Sequence, residues 1–273
     1  MKSKLLLIGC VSTLFCSFEL EACAQSSSDT RFYPWLTLAP HDTSAGGGAV
    51  AADSQQAQLA KQLQNPVADL ISVPIQNNWD FGIGPEDAMR YTANIQPVIP
   101  FKISEDWNVI TRTILPAIYA EEPVDGAGDK FGLGDTLQSF FLSPGKPVGG
   151  WILGAGPVFQ WPTSTDDALG NGKVGAGPTA VALRQEHGWT YGALVNHVWS
   201  FAGQKSTPDV NSTFLQPFVS FTTKKFTTFS VNTESSYDWE QEQWTVPLNV
   251  MVQQLIKIGK QPIAFQAGYR YYA

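Results

Sequence analysis

The stretches WILGAGPVFQW (Trp151–Trp161) and WTYGALVNHVW (Trp189–Trp199) each set two tryptophans ten residues apart. On an extended chain an even spacing puts both rings on one face. Ten residues at about 3.3 Å each run roughly 33 Å, and a tilt near 40° projects this to about 25 Å, the height of the apolar band on a β-barrel that crosses a bilayer. Aromatic side chains with an apolar body and a polar tip collect at the two headgroup levels, so paired girdles are expected at that separation. A soluble β-sandwich whose strands begin and end with aromatics is the competing reading.

Two more spans upstream repeat the pattern. From Tyr91 to Phe101 the positions Ala93, Ile95, Pro97 and Ile99 share the aromatic face, while Arg90, Thr92, Asn94, Gln96 and Lys102 take the other. Between Trp107 and Tyr119, Val109, Leu115 and Ala117 oppose Asn108 and Arg112. The expected girdle is therefore Tyr91, Phe101, Trp107, Tyr119, Trp151, Trp161, Trp189 and Trp199. The same parity turns Arg90, Gln96, Lys102, Asn108, Arg112, Asn196, Glu234 and Arg270 toward a lumen, with Ile110, Ile114, Ile118, Ile152 and Val158 on that inward face as well.

The connections supply an independent test, because such barrels alternate short turns at one end with longer loops at the other. Turn-forming residues mark links at 84–87, 104–106, 120–132, 143–149, 162–172, 185–188, 203–210, 224–225, 238–242 and 259–262. After the first, the longer of each neighbouring pair is usually odd-numbered. Counting from about Ile71, eleven strands result, the last spanning 263–272. A closed wall needs an even number, so a twelfth strand is expected to be missing, and strands one and eleven, which run the same way, are expected to leave an open edge.

Before the strands, Lys2 and Lys4 precede an apolar stretch from Leu5 to Phe18, and Ala22-Cys23-Ala24 offers a cleavage site, so residues 1–24 read as an export signal. A lipidated Cys23 is the alternative. All three cysteines lie in this segment, which leaves no thiol chemistry after cleavage. Residues 25–66 read as a flexible segment rich in Ser, Pro and Gly that carries one short helix over 54–64. The barrel is expected over 67–273.

The sequence also carries a resemblance. NPVADLISVP (65–74), TILP (113–116), GDTLQSFF (134–141) and NHVWSF (196–201) look like a bacterial outer-membrane barrel family whose members are labelled "transporter" or "neuromedin U". That family is similar to barrels found with aromatic-degradation pathways. The resemblance covers about 60–273 and implies an antiparallel transmembrane β-barrel of about twelve strands, in the outer membrane of a Gram-negative-type bacterium. It also implies a transport role without a defined substrate, with outer-membrane lipid and the barrel assembly machinery as partners.

Composition narrows the chemistry. With 17 Lys+Arg against 24 Asp+Glu, a net charge of −7 and only 15% charged residues, the chain has no electrostatic footprint for nucleic acid. No cofactor or metal motif accompanies its three histidines. Gly154-Ala155-Gly156 and Gly175-Ala176-Gly177 match phosphate loops only in composition and read as bends or close packing. Asp125, Asp129, Asp166 and Asp167 read as solvated loop charge rather than a calcium site. An embedded lipid hydrolase would use His197, but Ser200 is three residues away and so on the opposite face, which leaves only a cross-strand partner. The expected function is passive passage of a small solute, anionic, aromatic or amphipathic, with no covalent step. A structural or ligand-binding barrel is the alternative. Among the inward charges, cations outnumber carboxylates; they would either favour anions or pair and stiffen the wall. On this parity Gln96→Arg is expected to be nearly neutral.

Overall fold

The computed structural model describes residues 7–14, 56–83, 87–123, 128–258 and 261–272. Apart from one short helix, α1 (56–62), it is antiparallel sheet. The strands are β1 (Leu7–Leu14), β2 (Val73–Ile83), β3 (Ala88–Ile95), β4 (Val98–Lys102), β5 (Trp107–Ala120), β6 (Lys130–Leu133), β7 (Thr136–Pro144) and β8 (Trp151–Trp161). They continue with β9 (Lys173–Glu186), β10 (Trp189–Gly203), β11 (Asn211–Thr222), β12 (Thr227–Thr233), β13 (Ser235–Asp238), β14 (Gln243–Thr245), β15 (Pro247–Ile258) and β16 (Gln261–Tyr272).

Four of these follow a predecessor in one continuous wall strand. β3 gives way to β4 at Gln96-Pro97, where proline has no N–H for the ladder, and β4 stays paired with β5. β6 and β7 both lie on β5, and β12 and β13 both lie on β11. β14 and β15 lie on β13 and β12. Pairing runs from β1 through β2, β3, β5, β7, β8, β9, β10, β11, β12, β15 and β16 and back to β1. From β2 onward the connections between wall strands fall at the ten links expected from the sequence, and they alternate between a long-loop end and a short-turn end. The two-residue turn His187-Gly188 has φ of 49° and 85°, the double left-handed conformation whose twist matches a β-hairpin.

The seam where the twelfth strand is expected to be missing carries β1. It pairs antiparallel with β16 from Leu7 to Leu14 and with β2 through Ser12, Thr13 and Leu14. β2 and β16 run in the same direction, so β1, antiparallel to both, joins them without a parallel seam. The β1–β2 ladder is three residues long, and along the rest of that seam the sheet is not closed. Cleavage after residue 24 and most of the flexible segment, residues 25–55, fall outside the described residues.

The wall alternates as a barrel must. Phe101, Trp107, Trp151, Trp161, Trp189 and Trp199 point outward and are exposed, with Ile95, Leu153, Val195, Phe229 and Val250 between the rings. Inward neighbours Ile110, Phe141, Val158, Leu183 and Leu194 are almost fully buried. The two glycine clusters are wall elements rather than loops. A Cβ at Gly156 would strike the carbonyl of Phe140, and one at Gly177 the carbonyl of His197, so these strands approach too closely for a side chain.

Candidate solute site in the lumen

What fills the barrel is its own N-terminal segment. Helix α1 sits at the short-turn end, where Ala60 packs on Leu255 and Ala264 with Leu59, Leu63, Leu70 and Phe226 around them. Gln185 Nε2 donates to the Lys61 carbonyl at 2.8 Å, and Gln64 Nε2 to Gln253 Oε1 at 3.2 Å. Past the helix, Asn65 Oδ1 accepts from the Val67 amide at 3.0 Å and turns the chain inward. Val67 then joins Val98, Ile110, Phe141, Val181, Leu183 and Leu194 in one apolar cluster. Ser72 exchanges backbone bonds with Val98 before β2 begins.

The long-loop end is narrowed as well. Loop 162–172 folds over it so that Leu169 is buried against Ile118 and Ala120. Asp135 holds that loop by accepting from the amides of Ser164, Asn171 and Gly172 at 3.2, 2.6 and 3.2 Å. Further out, Lys130 pairs with Asp166 of the same loop at 3.1 Å. The Ala168 amide and then Lys130 hold the Asp166 carboxyl below its ordinary value. In loop 204–210 the ammonium of Lys173, 2.9 Å away, does the same for Asp209.

Between these constrictions the lumen divides into two halves. One is the apolar cluster around Val67. The other is polar and contains a cavity of about 230 Å³ between residues 62–72 and the walls of β2, β5, β11, β12, β15 and β16. Side chains there are linked in series. Arg112 Nη2 donates to Gln96 Oε1 at 2.8 Å, Gln96 Nε2 to Gln76 Oε1 at 2.9 Å, and Gln76 Nε2 to Asn78 Oδ1 at 3.2 Å. Opposite, Arg270 donates to Glu234 at 2.5 Å and to Asn249 Oδ1 at 2.9 Å, while Asn249 Nδ2 reaches Asn232 Oδ1 at 2.7 Å.

The structure thus brings Gln96, Arg112 and Glu234 to one cavity, with Arg270 directly behind Glu234. The other sequence candidates lie elsewhere. Arg90 stands opposite Asp80 in the β2–β3 ladder. Lys102 is exposed where β4 ends at the short-turn rim, with Asn108 as its partner on β5. Asn196 is buried opposite Phe214 and Thr179. Sequence reasoning passed over Gln76, Gln216, Ser220 and Gln253, which also line the cavity. For Gln216 and Ser220 a signal existed, since they share an even parity along β11 on which the odd positions Leu215 and Val219 are exposed.

His197 and Ser200 lie on opposite faces. Ser200 Oγ reaches Asp209 at 3.3 Å, whereas His197 packs on Trp199 with ring centres 4.0 Å apart. A cross-strand hydroxyl, that of Thr213, meets His197 Nδ1 at 2.7 Å. His197 Nε2 is buried and has no partner among the described residues, so no third group orients the ring there. No cluster of three or more His, Cys, Asp or Glu that could hold a metal occurs among the described residues.

These features define an antiparallel β-barrel with an apolar exterior, a lumen that is polar in one half and apolar in the other, and an internal segment occupying part of it. No protein-family model and no curated protein matches the chain. A solved structure that it resembles is an outer-membrane channel from Pseudomonas putida F1, at 13% identity and a TM-score of 0.49, covering 76% of this chain and 87% of that one. A likeness at this level carries no function across.

Proposed function

We propose that the protein is an outer-membrane channel that passes a small solute, with preference for anions, and that residues 56–72 restrict the path. The observation that carries this reading is the two-faced wall. Exposed Trp, Phe, Leu and Val rings and chains face out, where only hydrocarbon would accept them, and amides, hydroxyls and Arg112 line a cavity inside. No covalent step enters this reading. Residues 1–24 act in it as the export signal of a Gram-negative-type cell, so that β1 is a pairing of the precursor. Lipid and the assembly machinery are then the mature barrel's partners.

Planar-bilayer recording of the purified barrel tests it. Small, anion-preferring steps are expected. Leu255→Ala, which removes the side chain against which Ala60 rests, should raise the open fraction. A folded barrel that stays silent in both forms would sink the channel reading and leave a structural or binding barrel. N-terminal sequencing should return Gln25 as the first residue.

A further inference from the structure

The two charged groups that line the lumen cavity are not equivalent. Glu234 is already engaged, by Arg270 from behind at 2.5 Å and by Gln216 Nε2 at 3.4 Å. Arg112 bonds to the neutral amide oxygen of Gln96, with no carboxylate in ion-pair contact among the described residues, and it shares the longer-range field of Glu234 with Arg270. A guanidinium carries five N–H donors in a planar fork suited to a carboxylate. Two guanidiniums share one carboxylate, so the net charge at the cavity is positive.

A second observation comes from the opposite wall. Ser220 is only 4% exposed, lines the same cavity, and its Oγ has no hydrogen-bond partner among the described residues. Buried hydroxyls are ordinarily satisfied, and an orphan inside a cavity points to something that visits it. Around these two anchors the lining is mixed, with Gln76 and Gln253 beside Leu70, Phe218 and Met251. A volume of about 230 Å³ falls below the roughly 300–1,000 Å³ of sites for drug-sized ligands. That space suits a compact solute.

We infer that this cavity is a binding site for a small organic monocarboxylate bearing a second hydrogen-bonding group, the carboxylate held by Arg112 and the second group by Ser220. The inference deepens the channel reading and names its substrate class. Lactate and propionate are matched probes, because they differ by one hydroxyl.

Equilibrium dialysis of the full-length barrel in detergent, with radiolabelled lactate and propionate, makes the test. Folded fraction is monitored by heat-modifiable gel mobility. Saturable binding is expected, with lactate favoured over propionate by about 2- to 10-fold, the worth of one neutral hydrogen bond. Arg112→Gln should weaken both acids by 10-fold or more. Arg112→Lys, which keeps the charge and loses the fork, should weaken them less. In Ser220→Ala the preference for lactate should vanish while propionate binding holds. Absence of saturable binding to the native barrel, retention of binding in Arg112→Gln, or an unchanged lactate preference in folded Ser220→Ala overturns the site. A barrel that binds lactate but never conducts would refute the channel and keep the site; one that conducts without binding lactate does the reverse.

Discussion

Val195→Arg measures whether the outer wall faces hydrocarbon. Val195 lies six residues from Trp189 and four from Trp199 on β10. At about 3.3 Å per residue and a tilt near 40°, it stands roughly 15 Å from one girdle and 10 Å from the other, within about 3 Å of the midplane. Its side chain is 40% exposed, and its ladder neighbours Ala180 and Leu215 offer a guanidinium nothing to bond. Arginine at that depth should cost about 2 to 4 kcal/mol, a loss of about 30- to 800-fold in the folding equilibrium. Leu153, two residues from Trp151, is only about 5 Å inside its girdle, so Leu153→Arg should cost between that and the 0 to 1 kcal/mol typical of the interface. Reversible urea unfolding in lipid vesicles, followed by tryptophan fluorescence, gives both numbers. Equal costs at the two depths, both under 1 kcal/mol, would refute the membrane orientation, as would a monodisperse folded protein in detergent-free buffer.

The ion pair behind the cavity should be worth more than one outside. Glu234→Gln leaves the Arg270 guanidinium, buried at 9% exposure, without its anion and should destabilise by about 3 kcal/mol, whereas Lys130→Ala, whose pair with Asp166 is partly exposed, should cost less than about 1 kcal/mol in the same unfolding assay. The outer loops should respond to acid. Asp209 and Asp166 have carboxyls held below their ordinary values, so the stability they contribute is complete above the unfolded value and is lost as pH falls through the lower folded one. Proteolysis of loops 162–172 and 204–210 should therefore stay slow through the ordinary carboxylate range and accelerate only below it. Asp209→Asn should remove that pH dependence from the second loop.

The fold was legible because its signals are local. Side chains alternate strictly along a strand, so parity alone placed Trp151, Leu153 and Val195 outside and Ile110 and Val158 inside, where they lie. Links announce themselves by Gly, Asp and Pro. Helix α1 was legible too, ending two residues earlier than expected. What could not be read locally is what depends on a distant partner. Leu7–Leu14 has the apolar composition of an export signal, and nothing in those eight residues names β16 or β2 as neighbours. The half of the lumen that is apolar, and the presence of Val67 within it, follow from where the chain re-enters the barrel. Gln96 shows the limit most sharply. Parity makes it an inward polar residue in a wet lumen, hence the expectation that Gln96→Arg is neutral, but it is buried and holds Arg112. A second guanidinium there would face the first, and the substitution should be unfavourable.

The lumen charges raised a choice between anion preference and simple bracing, and the structure divides them residue by residue. Arg270 and Glu234 brace: they sit on β16 and at the junction of β12 with β13, and with Asn249 and Asn232 they tie the strands beside the seam where β1 pairs so briefly. That is where a wall short of backbone hydrogen bonds gains most from side-chain ones. Arg112, on β5, has an amide oxygen as its direct partner and meets Glu234 only through the field across the cavity. A cation satisfied by an anion has little attraction left for a solute, whereas one held in place by a neutral amide keeps its field and remains oriented. Rigidity and selectivity therefore need not compete for the same residues, and of the charges lining the cavity it is Arg112 whose removal should change what passes rather than whether the barrel stands.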